Sequence, residues 1–120
     1  MGGKLQANGI DHVVLHVRDL ERAKRFYVDF LGMTIHHERP TQAFVRCGSQ
    51  QIGLFQGDPG PGGVEVHHMA LRLDAGEYEQ VKALLESEGF TVHGRPGDEH
   101  CIYFNDPDGH SMQLLMPGED

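Results

Sequence analysis

A chain of 120 residues with a formal charge of −8 has room for one compact domain and carries no basic stripe that could neutralise phosphates, which excludes nucleic acids and anionic membranes as partners. No apolar run is long enough to cross a bilayer and the start MGGKLQANG has no signal-like apolar block, so a cytoplasmic location is expected. Cys47 and Cys101 stand far apart without CxxC spacing, which predicts free thiols rather than a zinc knuckle or a redox dithiol.

The first element is a strand over Ile10–Val17. Side chains alternate across a strand, so Val13, Leu15 and Val17 form an apolar face while His12 and His16 share the other. A helix follows, capped by Asp19, with Leu20, Ala23, Phe26, Tyr27, Phe30 and Leu31 at helical spacing and Gly32 as its stop. Three short strands then lead to GDPGPGGVE, residues 57–65, which is too rich in glycine and proline for a helix or a central strand and reads as a connector.

From Val66 to Met116 the same order recurs, so the chain reads as an internal duplication. His12-Val13-Val14-Leu15-His16-Val17 overlays His68-Met69-Ala70-Leu71-Arg72-Leu73, which places His12 and His68 at equivalent positions. Asp74 and Glu77 have capping-box spacing ahead of the stripe Tyr78, Val81, Leu84 and Leu85, and Gly89 ends that second helix. Asp106-Pro107-Asp108-Gly109 has the residues of a type I turn and predicts a hairpin between CIYFN and HSMQLLM. Within the hairpin Met112, Leu114 and Met116 form the core face, and Ser111, Gln113 and Leu115 the other. His36, His37 and His67 have the wrong parity or no matched partner, and His110 follows the turn, so all four are expected at the surface.

The stretches IDHVVLHV, FYVDFLGM, HHMALRL and YFNDPDGHSMQLL, in this order and spacing, resemble the vicinal oxygen chelate superfamily, which includes glyoxalases, extradiol dioxygenases, fosfomycin-resistance transferases and bleomycin-binding proteins. The resemblance implies an α+β fold: two βαβββ modules, about 9–56 and 66–116, joined by linker 57–65 into one domain, a curved mixed-sheet cup with helices on the convex side. It places metal ligands at His12, His68 and Gln113, the last a position usually held by glutamate. A fourth ligand position falls at about Gly53, which has no side chain, so the chain is more similar to three-ligand members than to glyoxalase I. The fosfomycin transferases carry threonine two residues after the first ligand where this chain has Val14, a departure that sets it apart from that subfamily.

Two imidazoles and an amide oxygen suit a borderline divalent ion such as Zn, Mn, Fe, Co or Ni and leave positions open for two adjacent substrate oxygens. Tyr103, His16, Arg72 and Cys101 are the candidate substrate contacts, and no general base is evident. The expected function is thus a metal-dependent lyase, isomerase or dioxygenase acting on a small molecule with vicinal oxygens. The alternative is a metal-free module of the bleomycin-resistance type that sequesters a cationic, drug-like ligand in an acidic cleft. A homodimer is expected in either case.

Overall fold

The computed structural model describes residues 4–119. The chain divides into two compact units, residues 1–58 and 59–120, each built around one four-stranded sheet.

In the first unit β1 (His12–Val17), β2 (Thr34–Arg39), β3 (Gln42–Cys47) and β4 (Gln50–Gln56) assemble in the order β1-β4-β3-β2. β1 runs parallel to β4, while β3 is antiparallel to both β4 and β2. The helical segment between β1 and β2 begins as α1 (Leu20–Lys24) and continues as a π-helical stretch, Arg25–Phe30. Asp19 caps it as expected, with Arg22 N donating to Asp19 Oδ1 at 3.1 Å. In the wider turn Leu31 N reaches back to Phe26 O at 2.9 Å, and the neighbours Phe26 and Tyr27 are both buried.

α1 packs on β3 and β4, and the expected parity of β1 holds at Leu15 and Val17, whereas Val13 at the start of the strand is exposed. Leu15 and Val17 of β1, Ala43 and Val45 of β3, and Ile52 and Leu54 of β4 are buried together with Leu20 and Ala23 of α1. Each such Leu, Val or Ile stabilises the unit by roughly 2 kcal/mol through removal of apolar surface from water. β1 starts at His12, two residues later than the alternation suggested, because Ile10 is exposed and unpaired with β4.

The second unit repeats the plan with β5 (Met69–Arg72), α2 (Tyr78–Ser87), β6 (His93–Arg95), β7 (Asp98–Asn105) and β8 (Ser111–Leu115), in the sheet order β5-β8-β7-β6. Ile102, Phe104, Met112, Leu114 and Leu85 fill its core. The capping box at Asp74 does not form: α2 starts at Tyr78 with an extended Glu77 ahead of it, and Glu77 makes no side-chain cap hydrogen bond. The two cysteines are not joined in a disulfide. Among the described residues no helix is long and apolar enough to cross a membrane.

Candidate functional site

In each unit the face of the sheet turned away from the buried core carries the polar candidates. In the first sheet the register sorts that open face into rows across the strands. His12, Gln51 and Arg46 form one row, Val14, Gly53 and Phe44 the next, and His16, Phe55 and Gln42 the third. Ring contacts confirm the sorting: His12 meets the edge of Phe44 at 5.3 Å between centroids, and Phe44 meets Phe55 at 5.7 Å.

A β-bulge between Ile35 and His37 shifts the alternation expected of β2. His37 pairs with Phe44 and stacks on its ring at 4.9 Å and 22°. His36 reaches the same face, where Arg46 Nη2 donates to His36 Nδ1 at 2.6 Å. Both residues are exposed as expected, yet both belong to the open face; an extra residue in an edge strand rotates the side chains after it, which period-two counting cannot anticipate.

His12 sits at the start of β1 and is partly exposed. Its Nδ1–H donates to Asp11 Oδ2 at 2.7 Å, which leaves Nε2 as the lone-pair donor. Such a carboxylate behind an imidazole fixes the ring and raises its basicity toward a metal. His68 lies on the residue before β5, with its Nδ1 2.8 Å from Nδ1 of His67. One ring must donate and the other accept, so ligation through His68 Nε2 requires His68 to be the donor.

Gln113 is 8 % exposed, paired on one side with Ala70 and on the other with Tyr103. The Tyr103 ring meets that of His68 at 5.9 Å and stacks on His93 at 5.7 Å, and its hydroxyl accepts from Arg95 Nη1 at 3.3 Å. His68, Tyr103 and Gln113 are therefore neighbours on the open face of the second sheet, whereas His12 belongs to the first unit. Among the described residues no three His, Cys, Asp or Glu side chains are gathered so as to hold a metal ion. The donor set that remains, two imidazoles and one amide oxygen, fits a borderline divalent ion in its chemistry.

The other candidates fare unequally. Arg72 donates to the main-chain oxygen of Glu119, so the segment after β8 is tied to β5. Cys101 is buried and its thiol points to the main-chain oxygen of Asp98 at 3.3 Å, which turns it from a substrate contact into a strand-end fastening. His16 lies on the open face beside Gly57, where a Cβ would stand 3.1 Å from the imidazole.

His110 reverses the expectation of a surface position, since its side chain is wholly buried. Its Nδ1 lies 2.8 Å from Asp106 Oδ2 and its Nε2 2.7 Å from Glu65 Oε2, while Asp106 Oδ1 accepts from the backbone N–H groups of Asp108 and His110. Burial works against the charged ring, but the hydrogen bonds to Asp106 and Glu65 and their negative charges prevail and raise its pKa above the ordinary histidine value. The sequence signal was available only in part: the Asp106 turn was legible, but Glu65 lies 45 positions away in the connector.

The profile of the Glyoxalase/Bleomycin resistance protein/Dioxygenase superfamily matches residues 9–114. A glutathione transferase FosA of Serratia marcescens is 29 % identical over 110 residues, covering 88 % of this chain and 78 % of that protein. A metallothiol transferase FosB of Staphylococcus epidermidis is 30 % identical over 117 residues, covering 92 % and 82 %. Among solved structures, lactoylglutathione lyase from Agrobacterium tumefaciens superposes with a TM-score of 0.71 at 25 % identity, covering 96 % of this chain and 100 % of that one. The fosfomycin resistance protein FosX from Mesorhizobium loti shares the fold with a TM-score of 0.71 at 24 % identity, covering 91 % of each chain. Similarity to Fos proteins thus persists although Val14 stands where threonine was expected of them.

Proposed function

The chain belongs to the glyoxalase/bleomycin resistance protein/dioxygenase superfamily, and on that premise we propose that it is a divalent-metal-dependent enzyme acting on a small molecule with neighbouring oxygen atoms, with His12, His68 and Gln113 as its ligands. Relatives named as thiol and glutathione transferases and as a lactoylglutathione lyase favour transfer or lyase chemistry over ring-opening oxygenation.

One observation carries the reading. His12 donates Nδ1–H to Asp11, which leaves its Nε2 as a candidate metal donor, and His68 offers its Nε2 in the same way in the tautomer in which it donates to His67. Gln113 would add an oxygen without a charge, which weakens affinity and leaves the ion a stronger Lewis acid. When bound, the ion would polarise substrate oxygens and stabilise the negative charge that develops on them. Tyr103, with its hydroxyl already engaged by Arg95, would donate to a substrate oxygen and orient it against Gln113.

The site would be completed in a cytoplasmic homodimer, with each ion held within one chain or between two. Calorimetric titration of metal-stripped protein with Mn, Ni, Zn and Fe(II) tests the reading: one equivalent per chain is expected, lost in both His12→Ala and His68→Ala. Absence of stoichiometric binding by any of the four rejects it. Light scattering at the mass of the 13.4 kDa monomer rejects the dimer.

A further inference from the structure

The chain is strongly acidic, yet its carboxylates are not distributed evenly. On the open face of the first sheet the rows contain His12, His16, His36, His37 and Arg46, together with Phe44 and Phe55. Arg39, paired with Gln42, joins them at the edge. Glu38, the one carboxylate within these four strands, bonds Lys24 of α1 at 2.9 Å on the opposite side, and Asp11 is tied to His12. An acidic molecule has gathered guanidinium and imidazole on one face, and the carboxylate within these strands lies on the other.

The same face is ordered by chemistry along the strands. The row of His12, Gln51, Arg46 and His36 is polar, and Gln51, Arg46 and His36 can donate hydrogen bonds from it. The adjacent row of Val14, Gly53, Phe44 and His37 is flat and apolar, one two-residue step away, about 7 Å. Gly53 is what makes that second row smooth. A Cβ there would stand 3.0 Å from Phe55, 3.1 Å from Phe44 and 3.2 Å from Val14, so the two rings close over a strand position that no other residue leaves vacant.

We infer that this face binds a small molecule made of a flat apolar ring joined to an oxyanion, the ring lying on Phe44, Phe55 and Val14 over Gly53 and the oxyanion on Arg46 and His36 of the neighbouring row. The inference rests on the small-molecule reading given above and adds the class of ligand, and it runs against the cationic ligand of the sequestration alternative. Ring and charge would be read separately: the aromatic row by stacking and burial, the polar row by charge-assisted hydrogen bonds. A carboxylate, a phosphonate and a phosphate satisfy the same row.

Three matched probes separate the two halves: 3-phenylpropanoate, propanoate and 3-phenylpropylamine, each titrated into the chelator-treated, metal-free full chain and followed by amide chemical shifts. The phenylpropanoate is expected to bind at least tenfold more tightly than either of the others, with shifts centred on residues 44, 46 and 53. Arg46→Gln, at an exposed position, should remove most of the advantage over the amine, and Phe44→Leu most of the advantage over propanoate. Equal or tighter binding of the amine or of propanoate, no binding of any probe, or shifts confined to other residues overturns the inference. So does a response of residues 44, 46 and 53 to protein concentration alone, which assigns the face to a second copy of the chain. Because metal is excluded throughout, failure of metal binding leaves these outcomes unaffected, and failure here leaves the metal titration intact.

Discussion

His110 Nε2 stands 2.7 Å from Glu65 Oε2, and this contact joins the connector ahead of His68 to the hairpin that carries Gln113. The backbones press together at the same place, since a Cβ on Gly63 would meet His110 N at 2.5 Å. Asp106 closes the arrangement by accepting from the other nitrogen of the ring. A buried imidazole with an acidic partner on each side holds its charge only while both remain, which gives the first predictions.

Asp106→Ala should destabilise the protein by about 3 kcal/mol, because it removes a buried partner of the His110 ring and also leaves the N–H groups of residues 108 and 110 unbonded. Urea denaturation measures this. A loss below about 1 kcal/mol would mean that the ring is solvated rather than clamped.

Stability should fall as pH rises above neutrality. The folded pKa of His110 is raised above its unfolded value, so the contribution is complete below the unfolded pKa of about 6.5 and disappears as pH climbs through the folded value. Denaturation midpoints from pH 6 to 9 in the parent and in His110→Gln check the sign: the parent should decline and the variant should decline less. Parallel profiles would detach the slope from His110.

Gly63→Ala and Gly62→Ala distinguish close approach from backbone conformation. Both residues have positive φ, 67° and 62°, but only position 63 has atoms in the way. Gly62→Ala should cost about 1 kcal/mol, the ordinary penalty for a side chain in the left-handed region. Gly63→Ala should cost at least twice that and loosen the connector from the hairpin, visible as faster amide exchange at residue 110. Equal thermal shifts would show that the contact yields without strain.

Gln113→Glu should tighten divalent-metal binding by about tenfold or more by returning a negative charge to the ligand set. The same calorimetric titration reads it. Unchanged affinity would place residue 113 outside the ligand set while leaving His12 and His68 to be judged by their own variants.

The alternation of β1, the helix stop at Gly32, the hairpin at 106–109 and the core face of Met112 and Leu114 were all legible in the sequence, because each is a local pattern whose period is imposed by backbone geometry. The duplication was legible for the same reason, and with it the family. Sequence also singled out His12, His68 and Gln113, of which His12 opens β1, His68 precedes β5 and Gln113 is buried on β8.

What the tertiary structure alone decided depends on partners distant along the chain or on irregularities that no period contains. His110 passes from expected surface to a buried, hydrogen-bonded ring because the connector brings Glu65 to it across 45 positions. His36 and His37 join the open face because one bulged residue resets the alternation of β2. The arginine-bearing, ring-lined face of an acidic protein arises because four strands, each contributing three residues, are placed side by side in one register, and net charge holds no information about which side of a sheet a carboxylate occupies.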